Sequence, residues 1–252
     1  MPVVHLLGYV SPTNLQIGFK LPLHVDVTNP FSGKLYDIRP EIRDCKIDVS
    51  CQMDEFILAD FQDIFPLALD IVSNVVNLIA FATGWGLTVI LDKFVDPDGN
   101  EKTIRHRTEY VQGLCTSYGI DKSRFSAVLQ MLHKQPSLGW AFEDLARAIR
   151  ETNTKTVHCA RAIETLKHLV ADENLNNTKR WEQFRDKLNL TVEYVKILTD
   201  YSAENRHGKR VFVSAEITQE TMRRAWIIMD RYIAFRLHGG IAPLPLSQFP
   251  ML

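Results

Sequence analysis

The sequence predicts an α+β protein: a small N-terminal antiparallel sheet with one long helix, followed by a C-terminal bundle of helices. Three observations favour this class. Short β-like segments alternate with prolines and glycines over residues 3–53. One long apolar helix and a hairpin follow, and from residue 121 onward apolar side chains recur at helical spacing. We therefore predict an α+β domain over residues 1–110, a helical bundle over 111–240 and an extended tail over 241–252.

The composition is that of an ordinary soluble globular protein. Of the 252 residues, 46% are hydrophobic and 23% are charged, which excludes a disordered chain, a collagen and a disulfide-rich mini-protein. The 29 basic and 30 acidic residues nearly cancel. Because the overall charge attracts neither nucleic acid nor an anionic membrane, any such binding has to depend on a local patch.

The N-terminal sheet is predicted from four short segments that are rich in apolar and β-branched residues and are bounded by turn-forming prolines. These segments are residues 3–10, 16–19, 24–27 and 46–53. A helix over about residues 58–82 separates them from a hairpin. The hairpin pairs residues 87–95 with residues 101–105 around the turn sequence Asp96-Pro97-Asp98-Gly99-Asn100.

The apolar segment 64–91 is long enough to cross a membrane, but its pattern indicates a core helix. Polar side chains at helical spacing form one stripe, which consists of Asp70, Ser73, Asn74 and Asn77. The opposite face is apolar and consists of Leu67, Ile71, Val75, Leu78 and Ala82. Gly84 and Gly86 are predicted to end this helix, so we expect no membrane contact.

The beginning of the chain predicts an intracellular protein. The first residues lack the basic region of a secretory signal, and Gly8 and Pro12 interrupt their apolar run. The four cysteines show no Cys-x-x-Cys spacing, so we expect reduced, buried thiols. The predicted location is cytoplasmic.

Six helices are predicted for the C-terminal part. Asp121 and Ser137 are the predicted N-caps of the first two, which Pro136 separates. The last helix is predicted to be capped by Thr218 and to end at Gly239-Gly240. The three helices between them carry apolar stripes that include Ile163, Phe184 and Val195.

Motifs for common cofactor and metal chemistry are absent from the sequence. Asp96, Asp98 and Asn100 match the first positions of a calcium-binding loop, but Glu101 and Arg107 stand where glycine and glutamate are needed. A hairpin turn explains them better. The chain contains no Gly-x-x-x-x-Gly-Lys, His-Glu-x-x-His or Gly-x-Ser-x-Gly motif. We therefore predict no cofactor and no metal.

Polar residues on the third predicted helix of the bundle have ordinary explanations. His158 and Cys159 are adjacent, but neighbouring helical residues diverge by about 100 degrees, so packing is favoured over a base and nucleophile pair. Arg161 and Lys167 each lie one turn from Glu164, which predicts surface ion pairs. These residues gain functional interest only if their helix packs against the basic segment described next.

The segment 204–210 concentrates positive charge between two predicted helices. Arg206, Lys209 and Arg210 flank the titratable His207, and a glycine adds flexibility. Such a segment can bind phosphate and supply acid–base chemistry. The alternative is a solvated helix end, where cations interact with the carbonyl end of the helix dipole and the glycine ends the helix.

A family resemblance bears on this segment. The sequence Cys159-Ala160-Arg161-Ala162-Ile163-Glu164, then a helix ending in Asn-Arg-His-Gly and a long last helix, resembles the HEPN (higher eukaryotes and prokaryotes nucleotide-binding) superfamily. The resemblance covers roughly residues 138–236. It implies a bundle of about four or five helices, usually dimeric. Many members are metal-independent ribonucleases of toxin or defence systems; others are inactive and bind RNA, nucleotides or proteins. Residues 1–110 resemble the N-terminal part of bacterial proteins that carry such a bundle.

The chain departs from the nuclease pattern of that superfamily. Members place an arginine about four to six residues before the histidine, but positions 200–202 contain no arginine, and Arg206 directly precedes His207. If nuclease chemistry is retained, the resemblance implies that His207 acts as acid or base and that Arg206 or Arg210 stabilises the phosphorane charge.

Three functions are therefore predicted as alternatives. The first is a non-catalytic module of a bacterial regulatory or defence system that binds RNA or a protein partner. The second is a weak metal-independent endoribonuclease that uses His207, with Arg206 as its helper. The third is a structural subunit for dimerisation, and a homodimer is expected in each case. The predicted binding residues are Asn205, Lys209, Arg210, Arg161 and Glu164.

Overall fold

The computed structural model divides the chain into two compact units, Met1–Arg105 and His106–Leu252. The structure describes all residues except 16, 18–24, 29–32, 105–110, 112–113, 115–121, 152–153 and 207–212, and it leaves out the side chains of residues 122–124 and 204–206. The N-terminal unit is a six-stranded sheet with one long helix, and the C-terminal unit is a run of six described helices. The protein is therefore of the α+β class, as the sequence predicts.

The N-terminal unit is built on an antiparallel sheet with the strand order β2-β3-β4-β1-β5-β6. The strands are β1 (Val3–Ser11), β2 (Val25–Thr28), β3 (Leu35–Arg43), β4 (Lys46–Gln52), β5 (Thr88–Val95) and β6 (Glu101–Thr103). On β1, Val4, Leu6 and Val10 are fully buried, whereas the residues between them are partly exposed. This alternation is typical of an antiparallel sheet with one covered face.

Helix α1 (Phe61–Thr83) covers that face, after a 3₁₀ turn at Leu58–Asp60. Its buried stripe consists of Ile64, Ala68, Val72 and Val76, which join the strand residues in one core. Leu78 and Ala82, predicted on the core side, are exposed because α1 continues for about two turns beyond Val76, its last buried residue. Gly84 ends α1 in the left-handed conformation, as predicted.

One helical segment, Leu58–Thr83, is long and apolar enough to cross a membrane by length and composition, and it is the only one among the described residues. A core helix passes the same test. One face of α1 packs against β1, β3 and β5 and joins the core of the N-terminal unit, whereas only 28% of the apolar window is buried.

Strands β1 and β5 approach each other closely at Gly8. Their register shifts between Leu7 and Gly8, which is the signature of a β-bulge. A Cβ atom at Gly8 would lie 2.0 Å from the backbone oxygen of Ile90 and 2.8 Å from the Cα atom of Leu91. Only glycine fits at this position.

The predicted hairpin is confirmed as β5 and β6. Asp96 closes its turn, because one carboxylate oxygen accepts hydrogen bonds from the backbone N–H groups of Asp98 and Asn100 at 3.1 and 2.9 Å. Strand β3 has no counterpart among the predicted segments, since Pro40 lies inside it. Pro40 lies opposite Val49 of β4, and the described pairing of β3 with β2 covers Leu35–Ile38. The predicted segment 16–19 lies mostly outside the described residues.

The C-terminal unit consists of α2 (Lys122–Lys134), α3 (Pro136–Arg150), α4 (Lys155–Val170), α5 (Asn177–Leu188), α6 (Val192–Arg206) and α7 (Ala215–Leu237). Helix α4 packs against α3, α5, α6 and α7, and residues 228–235 of α7 are buried on every side. These two helices form the centre of the bundle. Their apolar residues, including Ile163, Leu166, Ile228 and Tyr232, belong to a core separate from that of the N-terminal unit.

Two of the predicted N-cap residues are wrong, one by two positions and the other by four. Pro136 is the first residue of α3, and Gln135 rather than Ser137 is its N-cap. Proline suits this position because its missing N–H would have no partner inside the helix. Helix α7 begins at Ala215, one turn before the predicted cap, because the Ser214 hydroxyl accepts a hydrogen bond from the Ile217 N–H. Asp121, the other predicted cap, lies outside the described residues.

Candidate functional site

The basic segment predicted as the site falls largely outside the described residues. Asn205 and Arg206 belong to the last turn of α6, but their side chains are not described. His207, Lys209 and Arg210 follow directly and lie outside the described residues as well. The predicted grouping of these side chains with Arg161 and Glu164 therefore stays a prediction.

The described helices locate the end of the bundle from which this segment continues. Helix α3 ends and α4 begins there, across a short connection. The Thr156 hydroxyl, in the first turn of α4, donates a hydrogen bond to the backbone oxygen of Tyr201 in α6 at 3.4 Å. The start of α4 and the last part of α6 are thus neighbours. We call this part of the unit the His158 end, after the residue at its centre.

His158 is held between two carboxylates at this end. Its Nδ1 atom lies 2.9 Å from Oδ1 of Asp144 in α3, and its Nε2 atom lies 2.7 Å from Oε2 of Glu151, the residue after α3. The His158 and Asp144 side chains are only 6% and 8% exposed, whereas Glu151 reaches solvent. Because α3 and α4 pack closely and are joined by a short connection, residues that are 14 apart in sequence meet across their interface.

Each ring nitrogen of His158 thus lies within hydrogen-bond distance of a carboxyl group. Arg161 adds a cation, with its Nε atom 3.5 Å from Oδ2 of Asp144. The His158 end therefore places an imidazole and a guanidinium group against the carboxyl groups of Asp144 and Glu151.

The hydrogen bonds and charges around Glu151 also change the pKa of its carboxyl group. Burial tends to raise its pKa, but hydrogen bonds from His158 and Thr154 and the positive charges of His158 and Arg147 outweigh burial. The pKa of Glu151 consequently lies below its usual value of 4.5. The ionised carboxylate is the form that the folded protein favours.

The substitution Glu151→Gln tests this contribution through its pH dependence. A carboxyl group whose pKa is lower in the folded than in the unfolded chain stabilises the fold above its usual pKa, and this contribution is lost as the pH falls through the lowered pKa. We expect the wild type to be more stable than the variant at neutral pH, and the difference to shrink from about pH 5 to about pH 3. Urea unfolding at a series of pH values measures it. A difference that does not change with pH would exclude a contribution from the Glu151 charge.

The structure bears on three predictions about α4. Cys159 is fully buried, and desolvation raises its pKa to about 12, which agrees with its predicted packing role and leaves no reactive thiolate. His158, in contrast, is a paired polar group and not a packing residue. Arg161 lies 3.5 Å from Asp144, and Lys167, which also feels the charge of Glu164, is buried and donates to Oδ1 of Asn177 at 2.8 Å.

The described residues form no metal-binding site. Among the residues that the structure describes, no three His, Cys, Asp or Glu side chains are grouped closely enough to hold a metal ion. The His158 end contains acidic groups, but their oxygens face an imidazole and a guanidinium group. The chemistry available there is charge pairing and hydrogen bonding.

Fold and site together define a two-unit α+β protein, a helix-covered sheet followed by a helical bundle with a buried imidazole at one end. Residues 4–104 match the N-terminal domain model of a domain of unknown function, DUF8168, and residues 125–237 match its C-terminal domain model. The two models follow each other in the order of their names and together cover most of the chain, so the chain belongs to the DUF8168 family. Neither a curated protein nor a solved structure matches it.

Proposed function

We propose that the C-terminal unit is a non-catalytic, HEPN-like RNA-binding module of an intracellular bacterial regulatory or defence system. The observation that supports this function best is the basic sequence Asn-Arg-His-Gly-Lys-Arg at 205–210, which continues from α6 at the His158 end of the bundle. Phosphate contacts from clustered lysines and arginines supply most of the affinity of sequence-independent RNA binding.

The charges at the His158 end favour an anionic partner. The carboxylates of Asp144 and Glu151 are both engaged by His158, and Arg161 also pairs with Asp144. Arg150 and Lys155 form no ion pair with another described residue. With its own carboxylates paired, this end repels a phosphate backbone less and adds the exposed guanidinium group of Arg150.

A binding role is favoured over catalysis by the last turns of α6. The resemblance to ribonucleases would place a catalytic arginine at positions 200–202. In this chain Asp200 lies 3.8 Å from Lys196, and Ser202 is fully buried. Without a guanidinium group at these positions, the charge of a phosphorane transition state lacks the stabilising group that such ribonucleases use.

Fluorescence anisotropy with a labelled single-stranded RNA tests the binding function. The triple variant R206A/K209A/R210A is expected to bind at least tenfold more weakly than the wild type at low salt, because three phosphate contacts are lost. Between about 50 mM and about 200 mM salt, its binding should also depend less on salt, with a log–log slope smaller by about 2.

The matched control is K102A/K134A/K179A, which changes the net charge equally through three exposed lysines outside the segment. It should retain wild-type binding within about threefold if the contact is local. If both triple variants lost the same affinity for RNA, the binding would depend on overall charge and not on the segment 205–210. Absence of binding to RNA by the wild type would refute it and favour the structural subunit.

Incubation of RNA with the protein in excess chelator tests the non-catalytic part. Intact RNA is the expected result. Cleavage that leaves 2′,3′-cyclic phosphate ends and is abolished by His207→Ala would instead identify a metal-independent endoribonuclease.

A further inference from the structure

Helix α1 carries a second apolar face, on the side turned away from the sheet. Most of the apolar window within Leu58–Thr83 is not buried. Leu78 is 66% exposed and Phe81 is 88% exposed, and Trp85, two residues after the end of the helix, is 45% exposed. Because protein surfaces rarely group large apolar side chains in this way, we expect a partner to cover this face.

The exposed face follows the spacing of a helix that pairs with another helix. Its members, which are separated alternately by four and three residues, are Leu67, Ile71, Asn74, Leu78 and Phe81, and we call them the outer stripe. Leu78 follows the buried Val76 by two residues, or about 200 degrees around the helix, so the outer stripe lies opposite the sheet. This alternation of four and three is the repeat by which two helices pack side by side.

No charged side chain interrupts the exposed part of the outer stripe. The sequence contains no Asp, Glu, Lys or Arg between Asp70 and Asp92. Two copies of this face therefore meet without like-charge repulsion, whereas a charged partner would find no group to pair with. A lipid surface fits less well, because the flanking charges are acidic and helices that bind membranes carry lysine and arginine.

Asn74 lies at the centre of the outer stripe, seven residues from Leu67 and from Phe81. An amide buried against lipid or against a purely apolar partner loses its hydrogen bonds to water without replacement, which is unfavourable. In a two-fold symmetric pair, the Asn74 side chains of both copies can lie side by side, where each donates to the other. One polar residue within an apolar helix seam also fixes the register of the pair. Asn74 therefore favours a second copy of this helix as the occupant.

We propose that α1 is a dimerisation helix, and that its outer stripe packs against the same stripe of a second copy of this chain. A stable interface buries about 800 Å² per partner. Because a large aromatic side chain contributes about 150–250 Å² when it is covered, Phe81 and Trp85 supply a substantial share of this area, and Leu78 adds to it. The proposal is independent of the RNA contact, since it involves only the N-terminal unit.

Sedimentation equilibrium of the full chain at micromolar concentrations tests the proposal. The wild type is expected to have twice the mass of one chain. Leu78→Glu brings two carboxylates together in the interface, so its dissociation constant should be at least a hundredfold higher. Leu78 is not part of either described core, and the variant should keep the circular dichroism of the wild type. Leu35→Glu, which adds the same charge at a 57% exposed position of β3, is the matched control and should leave the dimer unchanged.

Asn74→Asp keeps the shape of the side chain and tests the amide pair. At neutral pH the two carboxylates repel each other, so the dissociation constant should rise at least tenfold, and this variant decides if Leu78→Glu does not fold. A monomeric wild type, or a folded Leu78→Glu variant that dimerises like the wild type, overturns the proposal. So does a monomer that co-sediments with vesicles of phosphatidylcholine and phosphatidylserine, because the outer stripe would then bind lipid.

Discussion

The substitution His158→Ala is expected to lower the free energy of unfolding of the C-terminal unit by about 3 kcal/mol. It leaves the Asp144 carboxylate, 8% exposed, without its partner at 2.9 Å. Breaking a buried ion pair by removing one partner costs about 3–5 kcal/mol, because the remaining charge stays desolvated. Arg161, 3.5 Å from Asp144, compensates part of the loss and places the expected value at the lower end.

Urea unfolding followed by tryptophan fluorescence measures this loss. Three of the four tryptophans, at positions 140, 181 and 226, lie in the C-terminal unit, so the signal reports mainly on it. Arg161→Ala is the control, and it should cost less than about 1 kcal/mol, since its side chain is 54% exposed. Equal effects of the two substitutions would show that the buried imidazole contributes nothing beyond a surface charge.

The substitution Gly8→Ala is expected to destabilise the N-terminal unit by about 3 kcal/mol or more. The added methyl group would lie 2.0 Å from the backbone oxygen of Ile90, and no rotation of a side chain can relieve a contact with backbone. Strands β1 and β5 would have to separate at the bulge, which breaks ladder hydrogen bonds in the middle of the sheet.

Thermal unfolding followed by far-ultraviolet circular dichroism in the β-sheet region checks this expectation. Gly86→Ala is the matched control in the same unit, because nothing lies within 4 Å of its added methyl group and its backbone is outside the left-handed region. It should change the stability by less than about 0.5 kcal/mol. If Gly8→Ala left the stability unchanged, strands β1 and β5 would be able to separate at the bulge without cost.

The sequence predicts the fold where a local signal and the tertiary environment agree. The β5–β6 hairpin follows from its turn chemistry, and Asp96 indeed closes the turn. Strand β3 escapes prediction because Pro40 signals a break when it is considered alone, whereas the pairing of β3 with β4 continues through Pro40 opposite Val49. The burial of Ile64, Ala68 and Val72 on one side of α1 depends on where the sheet lies, which no local pattern contains.

The centre of the His158 end could not be predicted for a similar reason. The partners of His158 are 14 and 7 residues away, on α3 and just after it, and nothing in the sequence states which faces of α3 and α4 meet. Helical spacing alone pairs Arg161 with Glu164, whereas the packed helices bring it to Asp144. The sequence does contain the elements of the pair: a histidine about one turn and an aspartate nearly two turns inside the adjoining ends of two helices that a short connection joins.

Among the residues that the structure describes, the two hydrophobic cores have no member in common, and this bears on how the protein is made. Synthesis on the ribosome releases residues 1–105 before the bundle is complete. Because domains generally fold as units, with the N-terminal one first, the sheet and α1 can close while the later helices are still being translated. The apolar α1, which would invite aggregation or chaperone capture if it waited unfolded, is then covered on its sheet side early in the life of the nascent chain.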